Sequence, residues 1–155
     1  VSPVMLAYAE HKATSRGISN IEFHHAGFLT FDQQPEQFDI IFTQLALHHL
    51  PDFWKSIALK NIHNLLKKGG KLFIKDVVYP SAIDDYTPFF EAIIKGIESS
   101  AGAEYTKEII AHVKKEYSTL DWILEELLTK SGFSILNTSI DNGFIYTYLC
   151  EKQAT

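Results

Sequence analysis

With 155 residues the chain is long enough for one domain with its own core. Apolar residues make up 46% and charged residues 21%, the ordinary balance of a globular domain. A net charge of -5 argues against nucleic acid as a partner, since non-specific binding runs on surplus Lys and Arg, and no apolar run reaches the roughly 20 residues that span a bilayer.

Ser2-Pro3 is a helix start, with Ser as N-cap and Pro at the first helical position. The helix runs to about Arg16 and stops at Gly17, with Met5, Leu6, Ala9 and Ala13 on one face. Ile21 to His25 alternates as a short strand, and Phe28 to Gln37 is a loop broken by Pro35. Phe38 to Thr43 carries Ile40-Ile41-Phe42 without polar alternation, which predicts a parallel strand covered on both faces. Pro51-Asp52 starts a second helix, with Asp52 as the cap. Its apolar stripe includes Ile57, Leu59, Ile62 and Leu65; Lys55, Lys60, Lys67 and Lys68 form the solvated face. Gly69-Gly70 stops this helix, and Leu72-Phe73-Ile74 is another doubly covered strand. Two parallel strands joined by a helix predict a right-handed crossover in an α/β sheet.

Residues 80–117 interrupt this rhythm with two helices, about Phe89–Ile97 and Glu104–Val113, around a hinge of small residues. They read as an insertion placed where α/β proteins carry binding elements. A helix over Ser118–Lys130 is predicted, with Ser118 and Asp121 close to a capping box. Phe133–Ile140 and Phe144–Cys150 flank Asp141-Asn142-Gly143, a hairpin turn signal. Cys150, the single cysteine, sits in an apolar strand pattern and reads as a small core or edge residue. With no basic stretch ahead of an apolar core as in a signal peptide, a reducing cytoplasm is the expected location.

In order and spacing, these pieces resemble the later part of a class I S-adenosylmethionine-dependent methyltransferase. SPVMLAYAEHKA is similar to the helix after that family's second strand, and NIEFHHAGF to its third strand and adenine-side loop. FDIIFTQLALHHL resembles its fourth strand and the loop under the cofactor, and LLKKGGKLFIKD the helix end and fifth strand. The closing helix, SGF and hairpin resemble the family's antiparallel sheet end. The resemblance implies a Rossmann-like sheet with that C-terminal hairpin. It departs from the family in one respect: the family's first strand carries a glycine-rich loop and its second ends in a ribose-holding acid. Of the eight glycines here, no two are separated by a single residue. The expectation is therefore one partial domain over residues 1–155, incomplete in its N-terminal half, with a substrate lid at about 81–116. The open edge of the 38–43 strand would recruit a second copy or swap a strand.

The resemblance implies S-adenosylmethionine as cofactor of the complete protein, a small-molecule methyl acceptor, and a chain inactive by itself. The alternative is a non-catalytic remnant working through self-association or a partner. Cofactor contacts would come from Met5, Gly27, Phe28, Gln44, Leu45 and Ala46, with Phe28 where relatives carry an adenine-binding Asp. His48 and His49 border the methyl group as substrate-facing groups or a base, or are structural. Asp76, Asp85 and Tyr86 stand near substrate, or are a strand end and a solvated loop. No metal site is expected: adjacent histidines in an extended segment point opposite ways, and no nearby Cys or carboxylate completes a set.

Overall fold

The computed structural model describes residues 2–153, the side chain of His112 excepted. Ser2 caps the first helix, α1 (Pro3–Ser15), accepting the Met5 N–H at 3.4 Å. The apolar face of α1 stays largely outside the core: Ala13 is buried, but Met5 is 64% exposed. Residues 16–37 are irregular. The strand expected at Ile21–His25 does not form, because an extended segment becomes a strand only against a ladder partner. The chain instead turns at Gly27, whose carbonyl accepts the N–H groups of Thr30 and Phe31. Asn61 Nδ2 holds this turn by donating to the Phe28 carbonyl at 3.2 Å.

β1 (Phe38–Gln44) leads through a 3-10 turn at Leu47–His49 into α2 (Asp52–Leu65), which returns to β2 (Leu66–Tyr79). The two strands are parallel, with Ile41 opposite Leu72 and Thr43 opposite Ile74. Three readings of this unit need correction. Pro51, not Asp52, is the N-cap; Asp52 lies in the first turn, where its carboxylate takes the Lys55 ammonium at 2.7 Å. Lys55 is not on the solvated face but only 2% exposed, and its ammonium also donates to the Tyr117 carbonyl. It sits four residues before Leu59 and seven before Ile62, a spacing that shares their face. Lys67, Lys68 and the glycine pair belong to the start of β2 rather than to the helix end. Phe38 pairs with Leu66 and Ile40 with Lys71, so residues 67–70 bulge out opposite Asp39. A Cβ on Gly70 would lie 2.8 Å from the Lys67 carbonyl oxygen, so the bulge requires glycine there.

After β2 come α3 (Tyr86–Ala101) and α4 (Ala103–Lys115), packed on each other as a hairpin turned at Gly102. The expected capping box at Ser118 does not form. Thr119–Leu120 extends as β3, parallel to Val78–Tyr79, and α5 (Asp121–Lys130) begins only after it. Asp121 Oδ1 accepts the Ser81 and Trp122 N–H groups at 3.1 and 2.8 Å instead. β4 (Phe133–Asp141) and β5 (Ile145–Lys152) are antiparallel, joined by Asn142 and Gly143 at φ +53° and +79°, as a tight hairpin needs.

The sheet order is β1-β2-β5-β4, with β1 and β2 parallel and β2–β5 and β5–β4 antiparallel; β3 pairs with the end of β2 in parallel, off this path. This is the open α/β sheet with a C-terminal antiparallel hairpin that the sequence predicts. α2 and α5 lie against one another and over one face, around Leu59, Leu72, Ile74, Leu124, Leu128, Phe133 and Tyr148. The other face is not covered as expected. Ile40 and Phe42 are 66% and 58% exposed, and Phe42 stacks on half-buried Phe73 at 5.0 Å. Among the described residues β1 pairs with β2 alone, so its outer edge is open. Cys150 is buried in the core as expected, and burial pushes its thiol up to about 12, so it is inert at neutral pH.

A histidine-carboxylate cluster beside an apolar cleft

The carboxyl ends of β1 and β2 lie side by side, and the side chains of interest gather there. Leu45 follows β1 in the left-handed region, at φ +48°, and its N–H donates to the Lys75 carbonyl at 2.8 Å. A branched residue held there is strained, and strain of this kind concentrates at functional loops. Beyond it, the 3-10 turn folds His48 and His49 so that their rings are 4.3 Å apart. The expected divergence of the two histidines therefore does not occur, because the segment is a turn rather than a strand.

Asp76 does not end a strand as the sequence suggests but lies within β2, which runs on to Tyr79, and is only 2% exposed. Its Oδ2 accepts the Leu47 N–H at 2.7 Å; its Oδ1 accepts the Val77 N–H at 2.8 Å and pairs with His48 Nδ1. Asp76 thus points inward and fixes the turn. His48 Nε2 lies 3.2 Å from Glu116 Oε2, and His49 Nδ1 lies 3.3 Å from Glu116 Oε1. Burial lowers the proton affinity of His48, but the Asp76 hydrogen bond and the charges of Asp76 and Glu116 outweigh it, raising its pKa above the ordinary value. The Tyr117 N–H donates to the His48 carbonyl at 2.9 Å, tying the end of the helical insertion to the turn.

His49 is also on the wall of an open cleft of about 880 Å³. Gly27, Phe28 and Ala46 line it too, with Phe31, Phe38 and Ile41 among the apolar walls. Three of the six expected cofactor residues are therefore brought into one space. Gln44 and Leu45 stand exposed at the adjoining strand end, outside that lining. Met5, Asp85 and Tyr86 do not line the cleft either. Asp85 is the N-cap of α3, accepting the Thr87 N–H at 2.8 Å, and the Tyr86 hydroxyl donates to the Pro80 carbonyl at 2.9 Å. Both therefore have structural bonds at the entrance of the insertion. A second, smaller cavity of about 230 Å³ lies between α3 and α4 and the sheet end, lined by Tyr79, Phe90, Ile93, Ile110 and Phe144 among others.

A family model described as a methyltransferase domain matches residues 1–149. The chain belongs to the class I S-adenosylmethionine-dependent methyltransferase family. An uncharacterized methyltransferase of Geobacillus kaustophilus is 33% identical over 128 residues, covering 83% of this chain and 55% of the relative. This methyltransferase chain spans little more than half the length of the curated relatives it matches. Among solved structures, the [4+2]-cyclase SpnF shares the fold with a TM-score of 0.71 at 16% identity, over 100% of this chain and 64% of that one. PigF with SAH superposes with a TM-score of 0.66 at 17% identity, over 98% of this chain and 41% of that one.

Glu116, Lys55 and Asn61 are the site-shaping residues that the sequence reading misses. Lys55 has a legible signal in its spacing to Leu59 and Ile62. Glu116 has none, since it lies 67 residues beyond His49 and its approach depends on how the inserted helices return.

Proposed function

We propose that this chain forms one wall of an S-adenosylmethionine site in a methyltransferase acting on a small-molecule acceptor. The observation that carries the reading is the shared cleft of Gly27, Phe28 and Ala46 beside the strained end of β1. Its volume of about 880 Å³ is in the range of ligand clefts. Gly27 and Ala46 leave room for a flat group, and Phe28 offers it an apolar surface.

S-adenosylmethionine supplies an activated methyl group, transferred by in-line displacement. The residues need only hold donor and acceptor in line and exclude water. His49, exposed at the cleft wall, faces a bound acceptor. His48 is held by Asp76 and Glu116 and positions its neighbour. The α3–α4 hairpin acts as the acceptor lid, and the apolar cavity of about 230 Å³ beneath it suits a hydrophobic acceptor moiety. The cytoplasm, where the cofactor and a reduced Cys150 coexist, is the matching location. No residue in 1–155 offers a Gly-x-Gly loop, so this wall by itself holds the cofactor weakly.

Amide chemical shifts recorded while S-adenosylhomocysteine is added test the wall. Shifts confined to Gly27, Phe28, Ala46 and the β1 end are expected. Shifts centred instead on the β4–β5 hairpin, or none at millimolar ligand, would remove the reading.

A further inference from the structure

We propose that His48, His49 and Glu116 bind one divalent transition-metal cation of the zinc class. The ligand atoms are His48 Nε2, His49 Nδ1 and a Glu116 carboxylate oxygen, and all lie within 4.8 Å of one another. Tetrahedral zinc with bonds of about 2.1 Å separates its ligands by roughly 3.4 Å. Each imidazole is near that spacing from one Glu116 oxygen, His48 Nε2 at 3.2 Å from Oε2 and His49 Nδ1 at 3.3 Å from Oε1, so the carboxylate lies between the two rings.

The surroundings supply what such a site needs beyond its ligands. Metal-bound imidazoles commonly give their other N–H to a carboxylate, which fixes the tautomer and strengthens the ligand. His48 has that arrangement: Nδ1 pairs with buried Asp76, so Nε2 faces Glu116. Asp76 is itself fixed by the Leu47 and Val77 amides. Charge favours a dication as well. Two carboxylates, Asp76 and Glu116, lie against the imidazoles, while the Lys55 ammonium is paired with Asp52. His48 is buried, Glu116 is 15% exposed and His49 is 55% exposed, so a cation can enter from the His49 side, where the cleft begins. Three protein ligands leave a fourth position for water or a donor atom of a bound molecule.

The test is equilibrium dialysis of the whole chain against Zn²⁺, followed by Co²⁺ titration read by visible absorption. The expected result is one tightly bound Zn²⁺ per chain and a tetrahedral Co²⁺ spectrum. His49→Ala, an exposed position whose loss leaves the core intact, should weaken binding at least about tenfold, as should Glu116→Gln. A His24→Ala/His25→Ala double variant, which removes the other adjacent pair, should bind as the parent does. Absence of stoichiometric Zn²⁺ from the parent chain would overturn the assignment. So would binding that survives both His49→Ala and Glu116→Gln, or that disappears with His24 and His25.

Discussion

Asp76 shows how one buried carboxylate can organise a loop. Three donors converge on it, two of them backbone amides of residues it must hold in place. An amide at this position would present N–H to N–H on at least one side. Asp76→Asn should therefore cost about 1–3 kcal/mol in a urea melt, the penalty for stranding a buried donor. His63 gives a pH-dependent counterpart. Burial, with the charge of Lys152 behind it, lowers its pKa below the ordinary value, and its ring meets Phe133 edge-on at 5.3 Å. The unfolded chain therefore takes up this proton before the folded one does. The group costs nothing well above pH 6.5, and stability falls as pH drops below 6.5 towards the folded pKa. Urea midpoints at pH 7.5 and 5.5 should converge in His63→Gln relative to the parent; an unchanged difference would refute the assignment. Neither effect was legible in the sequence. Asp76 reads as a strand end and His63 as a helix residue, and both depend on neighbours that arrive from other elements.

At the scale of elements, the α3–α4 hairpin is attached at its two ends. It enters through Asp85 and Tyr86, and its exit is held by Tyr117, whose N–H and carbonyl bond His48 and Lys55. Between these ends α3 has no fully buried residue. Hydrogen exchange should accordingly be fast in α3 and slow in β2 and β5. Lys55→Met keeps the stem but removes the ammonium, so it should cost about 1–3 kcal/mol and speed exchange at residues 115–117 in particular. Uniform acceleration throughout the chain would mean the link is not local. The two inserted helices were legible from their apolar spacing, as were α1, α2, α5 and the Asn-Gly hairpin. The strand at Ile21–His25 was misread because alternation marks strand potential, while a strand exists only through its partner. The start of α5 was misread because Thr119–Leu120 finds the edge of β2, which local capping chemistry does not reveal.

For the whole molecule, the uncovered face and the open edge of β1 belong together. Ile40, Phe42 and Phe73 form an apolar strip next to an edge of β1 that no strand pairs among the described residues. We propose that a second copy of the chain, pairing along β1, would cover both. Sedimentation velocity should show dimers or larger species, reduced by Ile40→Lys and Phe42→Lys; a stable monomer of the parent chain would contradict this. The continuous Ile40-Ile41-Phe42 run did predict a strand meant for cover on both faces, and here its second side is exposed. The same asymmetry bears on function, since the cleft has Gly27, Phe28 and Ala46 on one side and no glycine-rich loop among residues 1–155 to oppose them. The most direct measurement of that claim is calorimetric titration of S-adenosylmethionine into this chain and into a form extended ahead of Val1 by a strand with a Gly-x-Gly loop, a helix and an acid-ended strand. The account predicts binding by the extended form and at least tenfold weaker binding by the chain alone. It is contradicted if the extended form does not bind, or if the chain alone binds equally well.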